Sequence, residues 1–328
     1  MNLPFTCDIF SIHPQDFEKS ALEVFTYQYE NQPIYRKFCE ALKRTPDTVH
    51  LLEEIPFFPI GFFKTNNIIS QGREAVKVFE SSGTTGSQTS KHPVADLNLY
   101  IESLKRCFEL FYGDPEDYCI LALLPSYAER GNSSLVFMIQ HLMFLSGHSE
   151  NGFFLHDFDR LAARLASNEL KKQKTIFIGV AYALLDFAER YPMKLRYTMV
   201  METGGMKGRR KEMTRYELHE KLSAAFGVEN IHSEYGMTEL LSQAYSKGKG
   251  LFKCPPWMKV LIRNVYNPLE TGLKNKPGGI NVIDLANIYS CSFIATDDWG
   301  IVRPDEMFEV LGRLDNSDQR GCSLLYFS

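Results

Sequence analysis

The sequence lacks the features that mark several large classes of protein. Its 328 residues include 36 lysines and arginines against 40 aspartates and glutamates, so the formal charge is −4. No basic excess is available to neutralise a phosphate backbone, and we expect no nucleic-acid partner. The seven cysteines form no C-x-x-C pair and the eight histidines form no H-x-x-x-H pair. Neither a disulfide framework nor a zinc site is therefore indicated.

Long apolar segments are also missing. The longest run, residues 134–145, is too short to cross a bilayer and contains Gln140 and His141. The N-terminal residues show no basic stretch followed by an apolar one, as a secretory signal would. These absences predict a cytoplasmic protein with reduced cysteines and no membrane span.

The order of the predicted elements indicates an α/β fold. From about residue 76, apolar runs of strand length alternate with helical segments, which favours a mostly parallel sheet covered by helices. Thr214 and Glu217 have the spacing of a capping box at the start of one helix, and Gly227 stands where that helix should end. Beyond residue 254 the helical signals stop and short strands remain. The sequence thus predicts an α/β core over residues 1–254 and a smaller β-rich lobe over residues 255–328.

Two segments carry residue types suited to binding a nucleotide. The first is SSGTTGSQTSK, residues 81–91, in which two glycines and several hydroxyl residues could wrap a phosphate, although a polar turn has the same composition. The second is SEYGMTEL, residues 233–240, where a hydroxyl beside a carboxylate could hold phosphate and Mg²⁺. Taken alone, this second segment is better explained by a threonine that caps a following helix.

Taken together and in order, five motifs resemble the adenylate-forming superfamily of acyl- and aryl-acid ligases. They are SSGTTG, a strand ending in Gly-Gly, YGMTE, TDDWG and GRLD, spread over residues 76–324. The serine-first loop is most similar to the branch of phenylacetate-CoA ligases and LuxE-type acyl-protein synthetases. The resemblance implies the large-domain fold of that superfamily, with layered, mostly parallel sheets and a β-rich C-terminal lobe, and it implies ATP and Mg²⁺ as cofactors.

The resemblance also implies a role for each residue that matches a family motif. The β- and γ-phosphates of ATP would be wrapped by Ser82, Gly83, Thr84, Thr85 and Gly86. The adenine would lie along Gly204 and Gly205 and stack on Tyr235, while Thr238 would contact the α-phosphate and Glu239 would hold Mg²⁺. Asp298, in preference to Asp297, would bind the ribose hydroxyls, and Arg313 would reach the ribose or the α-phosphate.

Two departures from the family pattern direct attention to the end of the chain. Four residues separate the phosphate loop from Lys91, which leaves the role of that lysine open. The sequence ends shortly after Arg313, so we expect no mobile cap domain with its catalytic lysine. LuxE-type synthetases are similar in carrying an acyl-accepting cysteine near the C-terminus. By that resemblance Cys322 is a candidate nucleophile beside Arg320, and a buried apolar cysteine is the alternative.

The predicted reaction is activation of a carboxylic acid, and the resemblance to LuxE-type synthetases implies a medium- or long-chain fatty acid as the substrate. ATP would give acyl-AMP and pyrophosphate, and the acyl group would pass to Cys322 and then to a partner protein. Two alternatives stay open: an aryl- or acyl-CoA ligase of the phenylacetate type, and a catalytically idle module that binds nucleotide or acyl groups.

Overall fold

Helices begin where the sequence offers capping side chains. The structure is a computed structural model that describes residues 8–81, 88–204 and 213–314. Asp96, Ser133 and Thr214 each accept a hydrogen bond from a backbone amide in the first turn of the helix that follows. The α-helices of the described residues are α1 (Phe17–Asn31), α2 (Pro33–Ala41), α3 (Phe62–Thr65), α4 (Leu97–Tyr112), α5 (Tyr127–Arg130), α6 (Ser134–Ser146), α7 (Phe158–Lys171), α8 (Ala181–Arg190) and α9 (Arg215–Phe226).

The strands fall into three sheets. In chain order they are β1 (Phe58–Pro59), β2 (Lys77–Glu80), β3 (Lys91–Val94), β4 (Cys119–Leu123), β5 (Gly152–Phe153), β6 (Thr175–Val180), β7 (Thr198–Thr203), β8 (His232–Tyr235), β9 (Ala244–Ser246), β10 (Met258–Arg263), β11 (Gly278–Asp284), β12 (Phe293–Val302) and β13 (Phe308–Arg313). No helix in the described ranges has the length and apolar character needed to cross a membrane.

The first compact unit, Ala75–Pro255, is built on a six-stranded sheet. Its order is β5-β4-β6-β7-β8-β9, and every pair is parallel except the last. Strands β4 and β6 are buried at every position, as expected when helices cover both faces of a parallel sheet. A separate antiparallel pair, β2 and β3, brackets the glycine-containing loop. The parallel α/β core predicted from the sequence is confirmed.

The second unit combines the described residues up to Glu74 with those from Pro256 onward. Its sheet runs β1-β12-β11-β10, with β13 paired to β12. The helix α1 belongs here because buried Gln28 donates to the carbonyls of Asn287 (3.1 Å) and Ile288 (2.9 Å) and to the hydroxyl of Ser292 (3.1 Å). The division into residues 1–254 and 255–328 differs from this arrangement in its first part, since the N-terminal helices pack with the C-terminal strands.

Candidate active site

The carboxyl ends of the parallel strands β7 and β8 bring two of the predicted motifs side by side. Glu202 pairs with Ser233 and Thr203 with Glu234, so the turn at Gly204 and the segment beginning at Tyr235 leave the sheet from neighbouring strands. Gly204 has a φ of +68°, which a glycine adopts without steric cost. This edge is where open α/β sheets bind their ligands.

A buried carboxyl group links the two strand ends. The hydroxyl of Thr203 donates to Glu234 at 2.5 Å. Burial raises the pKa of Glu234 to about 7, and the nearby charge of Glu202 adds to this increase. The hydrogen bond from Thr203 acts in the opposite direction but does not cancel it. A Cβ at Gly236 would lie 2.4 Å from a carboxylate oxygen of Glu234, so a glycine is needed where the chain passes this group. The close approach to Glu234 therefore explains why the YGMTE segment has a glycine at residue 236.

A second buried carboxylate, Glu202, lies near the end of the neighbouring strand β7 and is paired with side chains of α9. Arg215 Nε lies 2.9 Å and His219 Nε2 3.5 Å from its oxygen Oε1. Burial alone would raise the pKa of Glu202, but a hydrogen bond from His219, the charge of Arg215 and a hydrogen bond from Ser233 outweigh it and lower the pKa. Both side chains come from α9, and their contacts fix the start of that helix to β7.

Tyr235 lies at the last position of β8 and is buried. Its ring is 5.8 Å from that of Phe252, and the guanidinium of Arg215 lies 4.9 Å from the same Phe252 ring. The tyrosine is therefore held from one side by aromatic packing. A ring fixed in this way could offer a flat surface to a purine base without further ordering.

The chain beyond Tyr235 does not form the helix that the capping alternative required. Residues 238–243 form turns and bends and lead into the antiparallel strand β9, so the interpretation of Thr238 as a helix cap is wrong. Glu239 is buried, with 4% of its surface exposed. His92, on β3, is also buried and its Nδ1–H donates to the carbonyl of Thr238 at 2.8 Å. This histidine, which sequence analysis missed, joins the turn at Thr238 to the hairpin that carries the glycine-containing loop.

The two ends of that loop are joined by two hydrogen bonds between Ser81 and Ser90. Ser81 N–H donates to the carbonyl of Ser90 at 3.0 Å, and Ser90 N–H donates to the hydroxyl of Ser81 at 2.9 Å. Lys91 is on β3 with an exposed side chain, and its Nζ lies 4.0 Å from Glu80. The predicted phosphate ligands Ser82, Gly83, Thr84, Thr85 and Gly86 lie outside the described residues, as do Gly205 and Cys322. Their assigned roles remain predictions.

The remaining site residues belong to the second unit. Asp298 of β12 and Arg313 of β13 are partners across an antiparallel pair, with Arg313 Nε 3.8 Å from Asp298 Oδ1. The Arg313 side chain is 76% exposed and that of Asp298 17% exposed, whereas Asp297 is an exposed residue. An ion pair at this exposure contributes under about 1 kcal/mol, so a nucleotide could replace it at small cost. The choice of Asp298 over Asp297 for the ribose contact remains a prediction.

The residues present fit Mg²⁺ better than a transition metal. The described part of the chain contains no group of three or more histidine, cysteine or acidic residues placed to hold a metal ion. Glu239, which follows Thr238 in the chain, offers one buried carboxylate. Mg²⁺ is commonly bound through one or two carboxylates together with substrate phosphates and water, so a single carboxylate is compatible with it.

The fold is that of the large domain of adenylate-forming enzymes. 2-Hydroxyisobutyryl-CoA ligase in complex with 2-HIB-AMP superimposes with a TM-score of 0.70 and 13% identity over 96% of this chain and 74% of its own. ATP-bound MatB from Rhodopseudomonas palustris gives a TM-score of 0.56 with 15% identity over 72% of this chain. The chain matches 47% of the length of MatB, about half.

Among curated proteins the chain is similar to two bacterial ligases over almost its whole length. The long-chain-fatty-acid–luciferin-component ligase of Vibrio harveyi is 27% identical over 92% of this chain and 84% of its own length. The ligase of the same name from Aliivibrio fischeri is 23% identical over 96% of this chain and 91% of its own. No protein-family profile matches the chain. The resemblance to acyl-protein synthetases noted in the sequence is confirmed by these relatives.

Proposed function

We propose that this protein activates a long-chain fatty acid with ATP and transfers the acyl group to a protein thiol. The observation that carries the proposal is the similarity, along more than nine-tenths of the chain, to ligases named for long-chain fatty acids. The adjacent strand ends at Gly204 and Tyr235, in an adenylate-forming fold, support the nucleotide part of it.

In the first step, a carboxylate oxygen of the acid attacks the α-phosphorus of ATP. The new bond joins that oxygen to phosphorus, the bond to the bridging oxygen breaks, and pyrophosphate leaves. Such a step depends on positioning and on neutralising charge more than on proton transfer. Thr238 would contact the α-phosphate, and Arg313 would neutralise charge on the ribose or α-phosphate side.

The residues that match the family motifs would hold the nucleotide. Tyr235 would stack on the adenine along Gly204, and Asp298 would accept hydrogen bonds from the ribose hydroxyls. Glu239 would hold Mg²⁺, which when bound neutralises phosphate charge. In the second step, the Cys322 thiolate attacks the acyl carbonyl carbon and AMP leaves, so the acyl group becomes a thioester that can pass to a partner protein.

Acid-dependent exchange of labelled pyrophosphate into ATP tests the first step. We expect exchange with long-chain fatty acids, in the presence of Mg²⁺, and little with aromatic acids. Exchange with aromatic acids together with turnover on free coenzyme A would support a phenylacetate-type CoA ligase instead. ATP binding without exchange for any acid would contradict an adenylating function and indicate a binding module.

A labelled fatty acid tests the second step. We expect a covalent acyl adduct that hydroxylamine releases, and its loss in Cys322→Ser with pyrophosphate exchange intact. Cys254→Ser is the matched control, because Cys254 is a partly exposed thiol elsewhere in the chain. An adduct that persists in Cys322→Ser would overturn the assignment of the acyl acceptor.

A further inference from the structure

The strand that carries Asp298 is irregular at that residue. In the antiparallel pair of β11 and β12, Gly279 is opposite Trp299 but Asn281 is opposite Ala295. Residues 296–298 of β12 therefore face a single residue of β11 and form a bulge. Bulges of this kind redirect a side chain, and they are over-represented beside active sites.

Arg263 holds this bulge from the far side of the neighbouring strand. Its Nη2 donates to the carbonyl of Thr296 at 2.6 Å, and its Nη1 donates to the carbonyl of Ile280 at 2.7 Å and to Asn281 Oδ1 at 2.9 Å. Arg263 is on β10, which pairs with β11 and not with β12. The guanidinium therefore reaches across β11 to bind the backbone of β12.

A glycine in β11 makes this reach possible. Gly279 is the register partner of Arg263, and a Cβ at that position would lie 2.5 Å from Cζ and 2.8 Å from Nη2 of the arginine. The guanidinium thus occupies the space that a side chain at residue 279 would take. Three donors directed at three fixed acceptors suit the planar fork of arginine, and a lysine cannot reproduce them.

Thr296 connects Arg263 to the backbone of Asp298 through hydrogen bonds. Its hydroxyl donates to the carbonyl of Ile280 at 2.9 Å and accepts from the backbone N–H of Asp298 at 3.1 Å. Thr296 is buried, with 1% of its surface exposed, so these bonds do not compete with water. The backbone of Asp298 is therefore tied to Arg263 through one residue.

We propose that Arg263 is a positioning residue for the ribose contact of Asp298, acting through the backbone and hydroxyl of Thr296. The inference rests on the proposed function, in which Asp298 accepts hydrogen bonds from the ribose. Arg263 does not itself contact the nucleotide in this proposal.

The test compares the affinities for ATP and for 2′,3′-dideoxy-ATP, measured by calorimetric titration of the full chain. The wild-type protein should bind ATP more tightly than the dideoxy nucleotide. In Arg263→Lys, the affinity for ATP should fall about tenfold, while that for the dideoxy nucleotide stays within about twofold, because only the ribose contact is displaced. A merely structural defect would weaken the binding of both nucleotides equally, and that result would overturn the inference.

Substitutions at Thr296 keep the test decisive if Arg263→Lys does not fold. Thr296→Val removes the hydroxyl at nearly constant shape and should lose the preference for ATP, whereas Thr296→Ser should retain it. Arg303→Lys, an exposed arginine paired with Glu309, is the matched control and should behave as wild type. Equal behaviour of the valine and serine variants, or a wild-type protein with no preference for ATP, would overturn the inference. If the wild-type protein binds ATP more tightly than the dideoxy nucleotide but shows no acid-dependent pyrophosphate exchange, that result would contradict only the proposed function.

Discussion

Replacing Glu234 by glutamine should stabilise the protein above neutral pH and change the shape of its pH–stability curve. Glutamine keeps the size of the side chain and an oxygen that can accept from Thr203, but it cannot ionise. In the wild-type protein the carboxyl group is buried and its pKa is raised from 4.5 to about 7. The folded protein therefore holds a proton on Glu234 that the unfolded chain releases near pH 4.5.

The magnitude follows from that difference in pKa. Between pH 4.5 and pH 7 the folded state binds more protons than the unfolded state, so the free energy of unfolding decreases as the pH rises through this range. The full difference corresponds to about 3 kcal/mol, which is lost by pH 7 and above. Glu234→Gln should remove this loss. We expect the variant to exceed wild type by about 1 to 3 kcal/mol at pH 8 and by almost nothing at pH 4.5.

His232, on the same strand, has the opposite effect. Burial, aided by the charges of Lys247 and His219, lowers its pKa from 6.5 to about 4. Between these values the unfolded chain binds the extra proton, so the free energy of unfolding increases with pH. The two groups nearly cancel in the wild-type protein between pH 4.5 and 6.5. In Glu234→Gln only the histidine remains, so stability should rise through this range.

Urea denaturation followed by far-ultraviolet circular dichroism at several pH values from 4.5 to 8 measures this difference. Most of the helical residues in the described ranges belong to the unit that contains Glu234, whereas both tryptophans, Trp257 and Trp299, belong to the other unit. Glu229→Gln removes the same charge at an exposed position and is the matched control. Parallel pH–stability curves for wild type and Glu234→Gln would refute the argument that burial keeps this carboxyl protonated.

Two further predictions concern the same strand ends. His92→Leu should raise the KM for ATP in pyrophosphate exchange. His92→Asn should keep a KM near that of wild type, because its amide can still donate to the Thr238 carbonyl. An equal increase in KM in both variants would contradict a positioning role for His92. Gly236→Ala should lower the free energy of unfolding by about 1 to 3 kcal/mol, because its Cβ would crowd the Glu234 carboxylate. Urea denaturation measures this decrease, and Gly61→Ala is the control, since a Cβ there meets nothing within 4 Å. An equal decrease in the free energy of unfolding at both glycines would contradict the argument that the Cβ of residue 236 crowds Glu234.

Local signals were sufficient to predict the central elements of the fold. Thr214 and Glu217 form the expected capping box, and Gly227 ends α9 with a φ of +61°. The buried runs of β4 and β6 were recognisable because both faces of a parallel strand are apolar. Helix α7 was not predicted, although Asp157 caps it and Leu161 and Leu165 have helical spacing on its buried face.

Long-range pairing explains what sequence reasoning missed. Gln28 and Ile288 are 260 residues apart, so nothing near α1 indicates that it packs with the C-terminal strands. His92 is 146 residues from its partner Thr238, and Arg263 is 33 residues from Thr296. His92 and Arg263 are each a single polar residue in a short strand, without a motif around it. The motif residues themselves were recognisable because several of them are adjacent in the chain.

The residues that sequence reasoning missed share one physical task. Thr203 with Glu234, His92 with Thr238, and Arg263 with Thr296 each form a hydrogen bond between separate strands, or from a strand to a turn, beside a predicted ligand-binding residue. In every pair at least one partner is buried, so the bond is little weakened by water and holds the backbone in one position. Transfer to the α-phosphorus needs prealigned groups more than it needs an acid or a base. Selection for that alignment would act on these cross-strand bonds as well as on the residues proposed to contact the nucleotide.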